Sequence, residues 1–123
     1  MRDPVFTERE LDIMSILWER GSGSVAEVRE SLKNTVGYTT VLKLLQILEE
    51  KGAVRHESEG RAYRYYPLVD QARAGGSALS RILEKIFGGS AELLLSQLVS
   101  DRELTEEELA RMKKLLEETE DES

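Results

Sequence analysis

Apolar residues recur with helical spacing in three short stretches of the first half of the chain. The first stretch follows a capping box formed by Thr7 and Glu10 and ends at Gly21, and the second follows a capping box formed by Ser24 and Glu27. A capping box satisfies free amides at a helix N-terminus, so both stretches are predicted to be helices. Their expected inward residues are Leu11, Met14, Leu17, Trp18, Val25, Val28 and Leu32.

The third stretch is predicted to be a helix over 39–51, after a turn over 33–37. Its expected inward face consists of Val41, Leu44, Leu45 and Leu48. Thr39, Thr40 and Lys43 share the opposite face near the N-terminal end, because residues three and four positions apart are neighbours on a helix. This pattern gives the third helix a polar outer surface that carries one positive charge.

The pattern then changes to two extended segments, 53–57 and 61–68, on either side of a turn at 58–60. Tyrosines favour strand, and Pro67 marks a strand end or a sheet edge. Three short helices followed by a hairpin are the order of a winged helix-turn-helix, in which the third helix enters the major groove and the hairpin contacts the backbone. The predicted fold class is therefore mainly α with a small β-hairpin wing.

The second half is predicted to be a helical module that holds two copies of the chain together. Residues 71–77 are small and glycine-rich, so we expect a linker between a winged-helix domain over 1–70 and helices within 78–123. The helix over 91–99 is apolar on more than one face, and a unit of fewer than about fifty residues rarely closes a core alone. We therefore expect a homodimer, with interface residues Leu83, Phe87, Leu94, Leu95, Leu98, Leu109, Met112 and Leu116.

Composition argues against several classes of protein. The 123 residues include no cysteine and one histidine, which excludes thiolate zinc sites and leaves no cluster of histidine ligands. No phosphate-binding GxxxxGK motif and no nucleophile with a paired base is present, so we expect neither an enzyme nor a cofactor or metal. No apolar run approaches the ~18 residues of a membrane span, and no signal-peptide core is found, so a cytoplasmic location is expected.

The net charge of −7 is unusual for a protein that binds nucleic acid, so the position of the charges matters. Residues 1–70 hold 10 basic and 12 acidic residues, and residues 71–123 hold 7 and 12, with an acidic tail. Within 33–64 the balance is six basic to four acidic. The acidic total favours an alternative, a winged helix that binds another protein and not DNA; an apolar surface on the third helix would indicate that alternative.

The candidate DNA-binding residues lie on the third helix and around it. Thr39 and Thr40 offer hydroxyls to phosphates or base edges and methyls to thymine, at a helix N-terminus that favours a phosphate. Lys43, one turn on, can reach guanine or a phosphate. The further candidates for phosphate contacts are Arg61, Lys33 and Tyr38. Tyr38 can alternatively cap the helix against the core, and His56 is expected to be an ordinary wing residue.

Several stretches together resemble the penicillinase-repressor family of the BlaI/MecI type. They are TERELDIM at 7–14, LW at 17–18, VAEV at 25–28, YTTV at 38–41, LEEKG at 48–52, GRAY at 60–63, LLL at 93–95 and LTEEEL at 104–109. The resemblance covers about residues 5–118. It implies a winged-helix homodimer that binds a palindromic operator in double-stranded DNA and blocks transcription.

The resemblance also implies a mode of induction, in which a protease pathway started by a membrane sensor leads to a cut in the dimerisation module. The cut site of some family members is an Asn-Phe pair, which aligns here with Gln97 and Leu98. This chain therefore departs from the family at the residues that would be cut. Copper-responsive relatives use a cysteine cluster, and a chain without cysteine cannot sense copper in that way.

Overall fold

The computed structural model describes residues 4–33 and 35–122, and side chains as far as residue 119. The described residues form six helices and three strands in two compact units, Met1–Ser80 (the winged-helix unit) and Arg81–Ser123 (the C-terminal unit). The elements are α1 Glu8–Arg20, β1 Gly23–Ser24, α2 Val25–Ser31, α3 Tyr38–Glu50, β2 Val54–Glu59, β3 Ala62–Pro67, α4 Gln71–Lys85, α5 Ala91–Asp101 and α6 Glu106–Glu122. The mainly α fold with a small wing is confirmed.

Both capping boxes predicted from the sequence are present. In α1 the Thr7 amide donates to Glu10 Oε1 at 2.7 Å and the Glu10 amide donates to Thr7 Oγ1 at 3.2 Å. Ser24 and Glu27 make the same pair of bonds at the start of α2, each at 3.1 Å. These bonds fix where α1 and α2 begin. Part of the predicted turn over 33–37, Asn34, lies outside the described residues.

The buried stripe of α1 includes a charged residue that the sequence pattern did not assign to it. Leu11 is 39% exposed, whereas Glu10 is only 2% exposed. The side chain of Glu10 tolerates burial because Lys51 Nζ lies 2.7 Å from its Oε1 and also donates to the Val5 carbonyl. The buried residues of α1 are therefore Glu10, Ile13, Met14 and Leu17, at ideal helical spacing.

Opposing effects act on the pKa of the buried Glu10 carboxyl. Burial raises this pKa, but the hydrogen bond from Lys51, the bonds with Thr7 and the charge of Lys51 together lower it below its ordinary value. The folded state therefore holds Glu10 as a carboxylate, and the pair joins the start of α1 to the end of α3.

The sheet has three antiparallel strands in the order β1-β3-β2, one strand more than the sequence predicts. β1 is only two residues long and pairs Gly23 with Tyr65. A Cβ atom at Gly23 would lie 3.2 Å from Val28 Cγ2, so glycine allows the close approach of α2. The hairpin turn is Gly60–Arg61 rather than 58–60, with Gly60 at φ 64°, since a two-residue hairpin turn favours glycine at its first position.

The core of the winged-helix unit is one cluster, to which α1, α2, α3, β2 and β3 contribute side chains. Its members are Ile13, Met14, Leu17, Val25, Val28, Val36, Val41, Leu45, Leu48, Ala53, Val54 and Tyr65. Trp18, Leu32 and Leu44, expected inside, are half-buried against this cluster. The core faces of α1, α2 and α3 are therefore close to those that the periodicity predicts.

Residues 71–77 are helical and belong to α4, whereas the sequence analysis expects a linker there. Asp70 Oδ1 accepts the Arg73 amide at 2.7 Å at the start of α4, and Trp18 Nε1 donates to the Val69 carbonyl at 2.7 Å just before it. The cost of two helical glycines, about 1 kcal/mol each relative to alanine, is offset by good helix-forming neighbours. The division into 1–70 and 78–123 stays a prediction.

The C-terminal unit has well-defined helix starts but buries no side chain among its described residues, 81–119. Ser90 Oγ accepts the Leu93 amide at 3.1 Å, and Thr105 Oγ1 accepts the Glu108 amide at 3.0 Å. The predicted interface residues divide into the half-buried Leu83, Phe87, Leu94 and Met112 and the exposed Leu95, Leu98, Leu109 and Leu116. Within the described part of the chain, no helix is both long and apolar enough to span a bilayer.

Candidate nucleic-acid interface

α3 has a buried apolar side and an exposed polar side. Val41, Leu45 and Leu48 have no exposed surface and fix the rotation of the helix about its axis. The other side exposes polar residues, and Glu50 is the last of them, in the final turn of α3. We call the four that precede Glu50, with Gln46 one turn beyond Lys43, the outer face of α3. These residues are Thr39, Thr40, Lys43 and Gln46.

The N-terminus of α3 has no side-chain cap. Its N-cap residue is Gly37, and no side-chain hydrogen bond caps the first turn, in contrast to α1 and α2. The free amides and the helix dipole at such an end attract an anion, and phosphate is the common one. Tyr38, the first residue of α3, is 47% exposed beside these amides. Thr39 and Thr40 follow it, so two hydroxyls lie next to a site suited to phosphate.

Three cations of the winged-helix unit have no protein partner. In the described part of residues 4–80, Lys33, Lys43 and Arg61 form neither an ion pair nor a side-chain hydrogen bond, and all three are exposed. By contrast, five other cations of this unit each pair with a carboxylate. They are Arg9, Arg20, Lys51, Arg55 and Arg64. Among the described cations of this unit, Arg29 bonds only the Val36 carbonyl. Lys33, Lys43 and Arg61 are the three cations that the sequence analysis assigns to DNA.

Each of these three cations has a distinct place in the fold. Lys43 lies on the outer face of α3, and Arg61 is the second residue of the hairpin turn. Lys33 lies in the turn after α2, with a left-handed φ of 58°. A left-handed backbone is uncommon for a residue with a side chain and marks a tight turn. The cations thus occupy the helix, the wing tip and the loop before the helix.

The other charges of the hairpin are neutralised within the protein. Arg55 pairs with Glu57 at 2.7 Å and lies over the Tyr66 ring at 4.3 Å. Arg64 Nε pairs with Glu59 at 2.6 Å, and its guanidinium also bonds Glu27 in α2. The hydrogen bonds that Arg64 donates to Glu59 and then to Glu27 raise the pKa of its guanidinium, so this side chain stays charged and is held by two carboxylates. The positive charge that the hairpin offers to an outside ligand is that of Arg61.

A further contact joins α3 to the hairpin. His56 Nδ1 in β2 lies 2.7 and 2.8 Å from the two carboxylate oxygens of Glu49 in α3. The imidazole packs edge-on against Tyr63, with ring centroids 4.8 Å apart, and lies 5.5 Å from Tyr65. Burial of Tyr65, followed by the nearby Glu49 carboxylate, raises the pKa of its phenol. The sequence analysis expects His56 to be an ordinary wing residue and does not identify this contact.

Sequence reasoning missed two residues at this interface for different reasons. Gln46 could have been found, because it lies three positions after Lys43 and seven after Thr39 on the same side of the helix. The partner of His56 had no signal in the sequence, since it depends on how β2 packs against α3. No group of three metal-ligating side chains occurs among the residues that the structure describes.

The predicted cleavage residues lie within a helix of the C-terminal unit. Gln97 and Leu98 are both in α5 and both exposed. The Gln97 side chain donates to Asp101 Oδ2 at 2.6 Å, one turn further along the same helix. The peptide bond between them is therefore part of regular helical structure.

Comparison with known proteins identifies the family. The family model for the penicillinase repressor matches residues 6–118. The chain belongs to the penicillinase repressor family. It is 26% identical over 117 residues to the penicillinase repressor of Bacillus licheniformis, which covers 94% of this chain and 91% of that relative.

Solved structures agree with the winged-helix architecture. Two solution structures of BlaI are each 31% identical and cover 58% of this chain and 90% of theirs. One is the DNA-binding domain, with a TM-score of 0.53, and the other is the monomeric form from Bacillus licheniformis in complex with the blaP half-operator, at 0.50. A MarR family protein from Bacillus stearothermophilus is 18% identical with a TM-score of 0.53, covers 97% of this chain and 76% of its own, and shows the fold alone.

Proposed function

We propose that this protein is a transcriptional repressor that binds an operator in double-stranded DNA, with α3 as its recognition helix. The observation that carries the proposal is the placement of three unpaired cations. Lys43 lies on α3, Lys33 lies in the turn before α3, and Arg61 lies at the tip of the wing. The complex of the related BlaI with a half-operator supports the proposal. Such a repressor works in the cytoplasm, where the bacterial chromosome is found.

The outer face of α3 supplies the contacts that distinguish one base sequence from another. Lys43 can donate to the O6 and N7 acceptors of guanine, and Gln46 can form a bidentate pair with adenine. The methyl groups of Thr39 and Thr40 can pack against the methyl group of thymine. Since the side chains carry both donors and acceptors, the face suits base edges in a major groove.

The phosphate contacts come from the residues around this face. The uncapped N-terminus of α3 receives one phosphate through backbone amides, with Tyr38 beside it. Arg61 at the wing tip and Lys33 in the turn before α3 reach the backbone on either side. These contacts position the recognition helix without reading sequence.

Two copies of the chain bind together, and the C-terminal unit joins them. The described residues of this unit bury no apolar side chain, while Leu93, Leu95, Leu98 and Val99 in α5 are each more than one-third exposed. A second copy covers these three leucines and the valine, and the two-fold symmetric dimer then matches a palindromic operator. Each winged-helix unit offers few cations, so a single unit is expected to bind DNA weakly. Once one unit of the dimer is bound, the other is held near the second half-site at a high effective concentration, and the two together bind more tightly.

The proposed repressor is inactivated by proteolysis in its dimerisation module. A cut between Gln97 and Leu98 would divide α5 and separate the copies while leaving α3 intact. A protease needs an extended substrate, so α5 must first open locally. Peptide mapping of the protein recovered from derepressed cells checks this step: we expect fragments that end at Gln97, and intact α5 in derepressed cells would contradict it.

The alternative of a winged helix that binds only protein is less well supported by the surface of α3. A protein-binding helix presents exposed apolar residues, whereas the outer face of α3 consists of two threonines, a lysine and a glutamine. Its composition therefore favours DNA.

The proposal is tested by selecting bound fragments from genomic DNA and then measuring affinity for the selected operator and for a random duplex. Lys43→Ala should lower operator affinity about 5- to 150-fold and random-duplex affinity far less, if Lys43 contacts a base. Arg9→Ala, which removes a paired cation from α1, is the matched control and should have little effect.

Two results would contradict the proposed contacts. An equal loss on both duplexes would assign Lys43 to a phosphate and not to a base. Operator affinity should also fall with salt, with a slope of roughly −0.9 per phosphate neutralised. Binding that does not depend on salt would rule out the electrostatic interface as a whole.

A further inference from the structure

We propose that the hairpin contacts the DNA backbone with only one of its two sides, and that the hydroxyl groups of Ser58 and Tyr63 on this side donate hydrogen bonds to phosphate oxygens. The inference rests on the proposed function, because it names further residues of the same interface. Arg61 supplies the positive charge at the wing tip, and the two hydroxyls add neutral donors between that charge and α3.

The register of β2 and β3 divides the side chains of the hairpin between two sides. Ser58 pairs with Tyr63 across the ladder. His56 pairs with Tyr65 two positions further from the turn, and since side chains alternate along a strand, both pairs lie on one side. His56 Nδ1 lies 2.7 and 2.8 Å from the two carboxylate oxygens of Glu49, so this side is turned toward α3. We call it the α3 side. The far side carries Arg55, Glu57, Glu59, Ala62, Arg64 and Tyr66.

The two sides of the hairpin differ in charge. Both glutamates of the hairpin strands lie on the far side. Glu57 pairs there with Arg55 at 2.7 Å. Glu59 pairs with Arg64 at 2.6 Å. The strands place no carboxylate on the α3 side, and the carboxylate that reaches this side from α3, that of Glu49, is held by the imidazole. A phosphate that approaches the α3 side therefore meets neutral donors from the hairpin.

The hydroxyl groups of Ser58 and Tyr63 are available to a ligand. Both residues are exposed, and among the residues that the structure describes neither hydroxyl forms a hydrogen bond. The Tyr63 ring packs edge-on against the His56 ring, with centroids 4.8 Å apart, so its position is supported. Residues that pair directly have Cβ atoms about 4.5–5.5 Å apart, so the two hydroxyls lie on the same part of the surface. Serine and tyrosine hydroxyls are common donors to DNA phosphates.

The pair lies between the two elements that are proposed to contact DNA. On the α3 side it is the pair nearest to the turn that carries Arg61. Leu42 lies seven positions before Glu49, so the two share the stripe of α3 that faces the hairpin. Lys43 follows Leu42 by one position, about 100° around the helix, so the outer face of α3 borders this stripe. A duplex that contacts both the outer face and Arg61 therefore passes the α3 side of the hairpin.

A hydroxyl donor and a cation have different effects on the salt dependence of binding. A hydrogen bond from an exposed hydroxyl to a phosphate is expected to change affinity by about three- to tenfold. The salt dependence comes from cations that release counterions from phosphates, and a neutral hydroxyl releases none. Loss of the hydroxyl should therefore lower affinity and leave the salt slope unchanged.

The first test compares Tyr63→Phe with Tyr66→Phe in the full-length protein, on the selected operator and on a random duplex. Tyr63→Phe removes the hydroxyl and keeps the ring that packs against the imidazole. It should lower affinity about three- to tenfold per half-site on both duplexes, with the salt slope of the wild type. Tyr66→Phe removes a hydroxyl from the far side of the same strand, where the ring lies under Arg55, and should leave affinity unchanged.

Three results of this comparison would overturn the inference. Unchanged affinity of Tyr63→Phe would mean that its hydroxyl does not contact DNA. A loss with a smaller salt slope would mean that the wing tip and the charge of Arg61 have moved, which is a structural effect. An equal loss in Tyr66→Phe would mean that the contact is not confined to one side.

The second test adds the same charge to each side of the hairpin. Ser58→Asp places a carboxylate on the α3 side and should lower affinity more than about tenfold, because it faces phosphates. Ala62→Asp places one on the far side, nearer to the turn, and should lower affinity less. Equal losses, or a larger loss in Ala62→Asp, would overturn the one-sided contact.

The wild-type protein distinguishes failure of the inference from failure of the proposed function. A wild type that binds neither duplex would contradict the proposed function, and the inference with it. A wild type that binds the operator in a salt-dependent way, with Tyr63→Phe binding equally well, would contradict the inference alone.

Discussion

The winged-helix unit and the C-terminal unit are both helical and leucine-rich, but they differ in what they bury. The first unit encloses a cluster of twelve apolar residues, and every buried side-chain nitrogen or oxygen atom among the described residues has a hydrogen-bond partner. The second unit, over its described residues 81–119, buries none, and Ile86 is 71% exposed. Leucine content alone therefore does not indicate a closed core. A closed core forms where several helices and strands pack around the same apolar side chains.

The difference separates two tasks. The closed core of the first unit holds α3 with its outer face toward solvent, independently of any partner. The open apolar surface of the second unit is useful only when another surface covers it. In the proposed repressor these tasks are contact with DNA and pairing of the copies.

The largest effect is expected where pairing is broken. Leu98→Asp places a charge on an exposed apolar site of α5, so it should dissociate the dimer and lower operator affinity about 100-fold or more, as the second half-site loses its effective concentration. Sedimentation and DNA titration measure the two losses. Ser96→Asp on the same helix is the control, and a monomeric Leu98→Asp with unchanged affinity would refute the role of pairing.

A comparable effect, on stability and not on DNA affinity, is expected from a cavity in the closed core. Leu45→Ala should lower the free energy of unfolding of the winged-helix unit by about 2–5 kcal/mol, because Leu45 is fully buried. Denaturant titration should give the same loss at every protein concentration. Leu98→Ala, in contrast, should cause a loss that depends on protein concentration. Equal behaviour of the two variants would contradict the distinction between the units.

The smallest of these effects concerns the buried ion pair. Lys51→Met should destabilise the winged-helix unit at neutral pH by about 1.5–3 kcal/mol, since it leaves the Glu10 carboxylate without its charged partner. The folded-state pKa of Glu10 is lowered, so its contribution is complete above the ordinary glutamate pKa and is lost as the pH falls through the lowered value. Denaturation at several pH values should show the difference between wild type and variant shrink in acid; a constant difference would contradict this linkage.

Local rules of sequence predicted most of the winged-helix unit. The boxes of Thr7 with Glu10 and of Ser24 with Glu27 placed α1 and α2, because each box needs only residues three positions apart. The inward face of α3 followed from periodicity. The polar candidates on its outer face followed from the same spacing, which is why Lys43 was found.

The features that were missed depend on long-range contacts. The two residues of β1 are too few for a strand pattern and are ordered only by pairing with β3. Residues 71–77 look flexible because of Gly75 and Gly76, yet they continue a helix that Asp70 starts. The burial of Glu10 depends on Lys51, 41 positions away, and the contact between His56 and Glu49 depends on the packing of β2 on α3.

Hydroxyl-radical footprinting of the selected operator tests the central claim, that paired copies place two α3 helices in successive major grooves. The account predicts two protected patches related by a two-fold axis, with centres about 10 base pairs apart or a multiple of that distance. A single protected patch, or patches without two-fold symmetry, would contradict it.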